Sequence, residues 1–464
     1  MWGGGVVLRM TQPPHTHEPL VFLASLGKDE PVSSLPHSAG ATGTLGAPGA
    51  NFVAMLGGVR LPFDPALSIP TLHRIRLATT PTETIVDVRL KAATEIVRRF
   101  TGVVSPGDTV AVGAGSRGLT GRVEMLAGVI DGFHTLNALP FVVPAMGSHG
   151  GGTAEGQREV LTGYGITEEA VGAEIRSTME TEVIARTANG MPMYLDHFAA
   201  QARFFFPVNR IKPHTCFVGP LESGLSKMAV VGFGKQPGAA QIHAGGPEAM
   251  RDVLLDGIVA LRHSGRLLGG LATIENGAGD VVAVEALMAD EIGAEREVAL
   301  TNLAKSHVPR LPFEDVDVLI VEQVGKDISG VGIDPNVSGR YWVNGLEGEA
   351  TSSVIVVLGL TEASHGNALG IGLADFTTVA VASAIDWHKT YVNSFTAGPA
   401  GVRRSRMPMV LPTDDDAIKA ALSMCGKPIH EPKRVVRIHS TLHLTEISVS
   451  DALLSELPPG ATLL

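Results

Sequence analysis

The chain has 464 residues and a mass of 48.4 kDa, too long for a single hydrophobic core, so two or three domains are expected. Hydrophobic residues at 44% and charged residues at 18% exclude wholesale disorder. A net charge of −11 without any lysine- or arginine-rich block argues against a nucleic-acid or anionic-membrane surface.

Residues 1–50, rich in Gly, Pro, Ser, Thr and His, show no sustained period and read as a flexible N-terminal extension, with Met10 as an alternative start. No apolar run approaches the ~20 residues that span a bilayer. The early segment PLVFLASLG is too short and lacks a basic leader, so no signal peptide is expected and the cytoplasm is the expected place.

From about residue 80 a rhythm sets in. DTVAVGAG reads as a strand, followed by the loop GSRGLTGR and the helical pattern RVEMLAGVIDGF. PFVVPAMG repeats it, with the loop SHGGGT and the helix EGQREVLTGYG. RFFFPVNR is another strand, leading into a loop with Lys212 and His214. VDVLIVEQ and SSVIVVLG are strands again, each followed by a glycine-rich loop. This alternation predicts an α/β fold, two α/β domains with mainly parallel sheets. Ligands bind at the carboxyl edge of such sheets, and Arg117, His149, His214, Gln323 and Lys326 all fall just after a strand. The active site is therefore expected in the interdomain cleft. A break at ATIENGAGD divides a first domain at 55–278 from a second at 280–400. The final part, 401–464, opens on a helix start with an acidic first turn, TDDDAIKAALSM, and is expected to return to the first domain.

The stretch NRIKPHTCFVGPLESGLSKMAVVGFGKQPGAAQIHAGG carries His214, Lys227 and His243 but only one acidic side chain, Glu222. Glycine at this density brings backbone close to a bound group. A lysine flanked by imidazoles there suggests a seated cofactor, with histidines to ligate metal or move protons. Lys227, in a small apolar run, is a nucleophile candidate if desolvated, or else a snorkelling surface lysine. His243 can equally be a cap or packing residue.

GSRGLTGR has the make-up of an anion nest in which Arg117 pairs bidentately with an oxyanion; a turn with solvated arginines explains it as well. GSHGGGT presents His149 with almost no side chains around it, accessible as base or ligand. Gln323, Lys326 and Asp327 suit a carboxylate substrate. His365, Asp375 and His388 form a second tier, and Tyr341, Trp342 and Asn393 are candidates for lining the pocket. Two cysteines, Cys216 and Cys425, are too few for a disulfide framework or a cysteine-built metal site. No zinc-protease helix, Walker loop or GxSxG elbow is present, nor a GxGxxG after an early strand with an acidic residue at the right remove, which leaves a simple nicotinamide dehydrogenase unsupported.

Taken in order, these loops resemble the lactate racemase family, whose members hold a nickel-pincer nucleotide, over about residues 60–425. Arg117 in GSRGLTG matches the arginine of a DxTRPTP-like loop, with Gly115 or Ser116 where an aspartate is usual. His149 in GSHGG matches the histidine of a GxHR-like loop. His214, Lys227 and His243 reproduce a histidine, lysine, histidine order, with the family's step of sixteen residues from 227 to 243. The first gap is longer by about three residues, so the loop around Pro220–Glu222 should bulge. Gln323 and Lys326 match a glutamine and lysine three apart.

The resemblance implies a racemase or epimerase of a 2-hydroxy acid, working by reversible hydride transfer from the substrate carbon to a lysine-tethered nickel-pincer nucleotide. Lys227 would tether the cofactor through a thioamide, with Arg117, Ser116 and Thr120 also binding it. His243 would complete the coordination of nickel. His149 and His214 would be the acid/base pair, one for each face of the substrate carbon. Arg117, Gln323 and Lys326 would hold the substrate carboxylate. Cofactor-biosynthesis enzymes would be partners, and an oligomer is possible. Two other readings stay open: a zinc-dependent hydrolase or lyase using the same histidines, and a non-catalytic cofactor-binding homologue. A solute-binding protein is disfavoured by the missing export signal.

Overall fold

The apolar runs form strands, and the glycine-rich stretches turn at their ends, in a computed structural model that describes residues 53–78, 83–116, 119–215, 217–244, 246–341 and 351–464, with backbone alone at 243, 244, 246–249, 351 and 396. In chain order the strands are β1 (Leu72–Arg76), β2 (Thr109–Ala114), β3 (Leu139–Pro144), β4 (Thr181–Arg186), β5 (Pro192–Asp196), β6 (Phe204–Arg210), β7 (Gly269–Glu275) and β8 (Val281–Met288). They continue as β9 (Asp315–Val321), β10 (Thr351–Val357), β11 (Phe376–Thr378), β12 (Met409–Leu411), β13 (Val435–Ile438), β14 (Glu446–Ser450) and β15 (Thr462–Leu463). Two sheets, mixed but mainly parallel, make this an α/β protein, and both belong to one compact unit of the chain.

The first sheet runs β3-β2-β6-β7-β8. Its pairs are parallel up to β7, and only β8 is antiparallel. Strands buried on both faces read as continuous apolar runs, as TVAVGA and FFFPVNR do. Neighbouring phenylalanines of β6 show why. Phe206 meets Phe100 and Phe133 at 5.5 and 5.1 Å on one face, whereas Phe205 meets Phe233 at 5.2 Å on the other. The helices Val88–Phe100 and Arg122–Thr135 cover the Phe206 face and approach each other closely at Gly128, where a Cβ would stand 2.2 Å from the Arg89 carbonyl oxygen.

The second sheet runs β12-β11-β10-β9-β13-β14-β1-β15. The topology bears on two expectations about domains. The segment 401–464 completes the second sheet, β13 pairing in parallel with β9 and β14 antiparallel with both β13 and β1. β1 itself comes from residues that were assigned to the first domain, and Leu61, Phe63 and Ile69 pack with it against the second sheet's core. The apolar face of VVRI must be buried against a neighbour, but its sequence does not say which one. The break expected between 278 and 280 falls in a hairpin inside the first sheet. There the Asn276 side-chain oxygen accepts from the N–H groups of Ala278 and Asp280, both at 2.9 Å, and turns β7 into β8. The acidic helix start is found as read, with the Thr413 hydroxyl accepting from the Asp416 N–H at 3.1 Å. Among the described residues no helix is long and apolar enough to cross a membrane.

Candidate functional site

β2, β3 and β6 lie side by side and parallel, so the loops leaving their carboxyl ends share one edge of the sheet. The loop after β2 carries Ser116, the loop after β3 carries His149, and the loop after β6 carries His214. Lys227 follows on a short turn, Leu225–Lys227, which runs into a wide π-turn, Met228–Gly232, and the helix Lys235–Ala244.

Backbone contacts stitch these pieces together. The Ala145 N–H donates to Ala114 O at 2.8 Å, and the Gly147 N–H to Gly232 O at 3.0 Å. Asn209 at the end of β6 donates to Gly224 O at 2.9 Å, just before Lys227. Glycine is required at 232, because a Cβ there would stand 2.5 Å from Ala145 O. The loop bearing His149 and the turn after Lys227 are therefore in direct main-chain contact.

The Lys227 amine lies 2.6 Å from His214 Nε2. Both side chains are partly buried, and the His214 ring stacks on Phe217 with centroids 4.3 Å apart and planes 28° from parallel. The His214 N–H donates to Glu222 Oε2 at 2.7 Å, and the Gly219 N–H to Glu222 Oε1 at 3.1 Å. Glu222 is buried and also meets the Lys305 ammonium at 2.6 Å. Beside Lys227, buried Glu297 accepts from the Ser226 N–H at 3.0 Å and the Gly293 N–H at 2.8 Å. Glu297 and Lys305 share the helix Glu295–His307, so one helix braces both the histidine loop and the lysine turn.

His149 is exposed, and its Nδ1 is hydrogen-bonded to the Ser116 hydroxyl. That contact orients the ring and leaves Nε2 as the nitrogen aimed elsewhere. Ser116 is held in turn: its carbonyl accepts from the Tyr164 hydroxyl at 3.1 Å, and Gly115 O accepts from the Arg122 guanidinium at 3.2 Å. Arg122 also stacks over the Tyr164 ring at 4.5 Å. Burial pushes the Arg122 guanidinium down to about 10, partly offset by Tyr164.

The other expected site residues divide. Arg117 and Trp342 lie outside the described residues. His243 falls near the end of the helix Lys235–Ala244, and its side chain is outside the description. Thr120 is engaged elsewhere than expected, its hydroxyl donating to Gly279 O at 2.6 Å and its N–H to Glu275 at 2.8 Å. Gln323 and Lys326 lie past β9 on the second sheet, where Gln323 abuts Gly359 and Lys326 Nζ donates to Gly330 O at 2.7 Å. Asp375 is a structural partner of Arg340 at 2.6 Å, and His365 sits in a left-handed turn at φ 46°. Tyr341 is buried and donates to Asn336 at 2.8 Å, burial pushing its hydroxyl up to about 12.

A cavity is lined among others by Lys212, Pro213 and Glu275, which follow or end strands of the first sheet, and by Ile328, Asp334 and Thr441, from loops of the second. It borders the His214 loop. Buried Arg404, from the second sheet's helices, reaches the same loop and donates to Thr215 O at 2.8 Å and Tyr341 O at 2.6 Å. Glu222 carried a signal, being the one acidic residue of its stretch. Glu297, Lys305, Tyr164 and Arg404 carried none, since each is brought in from a distant part of the chain.

Chemically, an amine beside an imidazole is a nucleophile with a proton acceptor at hand. Such a lysine fits a group attached covalently through it. Among the described residues no three His, Cys, Asp or Glu side chains converge to hold a metal ion.

No family model matches the chain, and no curated protein does. Solved structures that resemble it distantly include the following two. The lactate racemase apoprotein from Thermoanaerobacterium thermosaccharolyticum is 14% identical over 62% of this chain and 74% of that one, with a TM-score of 0.41. A protein from Thermotoga maritima is 10% identical over 58% of this chain and 70% of that one, with a TM-score of 0.43.

Proposed function

We propose that this chain is an isomerase, a racemase or epimerase of a 2-hydroxy acid, that works with a nickel-pincer nucleotide attached through Lys227. The observation that carries the proposal is the Lys227 amine 2.6 Å from His214 Nε2, on a turn in main-chain contact with the His149 loop. The order and spacing of His214, Lys227 and His243 support the same assignment. When bound, the cofactor supplies an acceptor and donor of hydride.

The protein's own part is proton handling and orientation. His214 is placed to take a proton from the Lys227 ammonium, leaving the neutral amine through which a covalent link to the cofactor would run. In turnover, His149 and His214 serve as the two bases, each able to accept the substrate hydroxyl proton near neutral pH. Two are needed because the two enantiomers present that hydroxyl from different sides. Ser116 holds the His149 ring by Nδ1, and Phe217 holds the His214 ring by stacking. His243 is the residue assigned to nickel, and Arg117, Gln323 and Lys326 are assigned to the substrate carboxylate. Lys326 would exchange its Gly330 carbonyl for that carboxylate, a stronger, charge-assisted partner. Cofactor-making enzymes are the partners this scheme requires.

The test is intact mass after co-expression with nickel-pincer-synthesising enzymes. The expected result is an adduct mapped to Lys227, lost in Lys227→Ala, in coloured protein containing nickel. Colourless protein carrying zinc and no adduct would overturn the assignment.

A further inference from the structure

We propose that Lys235 and Gln157 are positioning residues that set the spacing between the His149 loop and the Lys227 turn, a role whose purpose rests on the racemase reading above. Both side chains are completely buried, at 0% exposure. The Lys235 ammonium donates to Pro144 O at 2.5 Å and Gln157 Oε1 at 2.9 Å and is ion-paired with Asp196 Oδ2 at 3.0 Å. Pro144 ends β3 and leads into the His149 loop. Gln157 passes the connection on, its amide donating to Gly147 O at 2.8 Å and to His149 O at 3.3 Å.

The lysine itself belongs to the other side of the site. It opens the helix that follows the Lys227 π-turn, and it holds a left-handed φ of 50°, costly for a side-chain-bearing residue. Burial pushes the Lys235 amine down and the Asp196 carboxyl up, each restrained by the other's charge. A buried ion pair contributes little net stability over apolar packing, but losing one partner is expensive. What it provides here is placement: one ammonium is bonded at once to the end of β3, to Gln157 beneath His149, and to Asp196 at the end of β5.

The variants are Gln157→Met and Lys235→Met in the full chain, without cofactor or substrate. Lys235→Met leaves Asp196 in the core without its cation and can fail to fold; Gln157→Met keeps the ion pair and cuts only the relay. Amide hydrogen exchange is expected to rise at least tenfold at Gly147, His149 and Gly152 in Gln157→Met while β6 stays unchanged. In Lys235→Met the segment 230–239 should loosen as well. Selective histidine 15N labelling supplies a readout that a purely structural role would not move. The His149 Nδ1 signal, assigned with His149→Gln, should shift in Gln157→Met in the direction it shifts in Ser116→Ala. Unchanged exchange, exchange raised across the whole first sheet, or an unmoved His149 signal would overturn the positioning role. None of these outcomes bears on the Lys227 adduct, so failure here and failure of the racemase reading are told apart.

Discussion

Replacing Glu222 should release the His214 loop without unfolding the protein. Its carboxylate accepts from the His214 N–H at 2.7 Å and the Gly219 N–H at 3.1 Å, and it meets Lys305 at 2.6 Å. A hydrogen bond to a charged acceptor contributes roughly 1.5–3 kcal/mol. The Lys305 partner is 29% exposed, so that pair adds only about 0.5 kcal/mol. Allowing for water at the freed donors, Glu222→Ala should lower the cost of opening the loop by about 3 kcal/mol. At about 1.4 kcal/mol per tenfold, amide exchange at His214 and Gly219 should quicken roughly 100-fold. Glu222→Gln is no rescue, because an amide has one carbonyl oxygen and its NH2 would face a second donor. The assay is hydrogen exchange resolved to residues 212–224 in both variants. If protection at His214 and Gly219 is the same as in the unmodified chain, the carboxylate does not hold the loop and the reasoning fails.

Arg404→Met should strand the Thr215 and Tyr341 carbonyls that the guanidinium now serves, at a cost of about 3 kcal/mol, and make 213–217 the first site cut in limited proteolysis; an unchanged cleavage pattern would refute it. Gly232→Ala should lower the thermal midpoint, the added Cβ standing 2.5 Å from Ala145 O, whereas Gly163→Ala, with nothing within 4 Å, should be neutral; equal midpoints for the two would contradict the packing argument. Burial pushes the Glu95 carboxyl up, but hydrogen bonds from Arg98, Lys91 and the Ala286 N–H outweigh it and leave it below its ordinary value of 4.5. A depressed carboxyl contributes stability above the unfolded value and loses it as pH falls through the folded one. Glu95→Gln should therefore be about 1 kcal/mol less stable at pH 7, with the difference shrinking steadily as the pH is lowered below about 4.5; a difference independent of pH would rule this out.

Much of the site was legible along the chain because strand-end loops announce themselves locally. TVAVGA and FFFPVNR are long apolar runs bounded by glycine and polar residues, so their carboxyl ends, and the residues just beyond, could be placed by pattern alone. His149 and His214 are picked out in this way, and Lys227 by the glycine-rich stretch with one acidic residue around it. Partnership was not legible. Ser116, expected to bind cofactor, is hydrogen-bonded to His149. Thr120, expected beside it, ties down the β7–β8 turn. Which residue answers a hydroxyl depends on what the fold brings to it.

The amino-acid sequence by itself determined the α/β alternation, the glycine-rich loops and the three chemically capable side chains, because backbone propensity and apolar periodicity act over a few neighbouring residues. Only the tertiary structure decided that β13 and β14 complete the second sheet, that Glu297 and Lys305 brace the lysine and histidine from one helix, and that Arg404 closes on the His214 loop. Those contacts join residues far apart in the chain, and burying their charged and polar groups is tolerable only when all the partners arrive together.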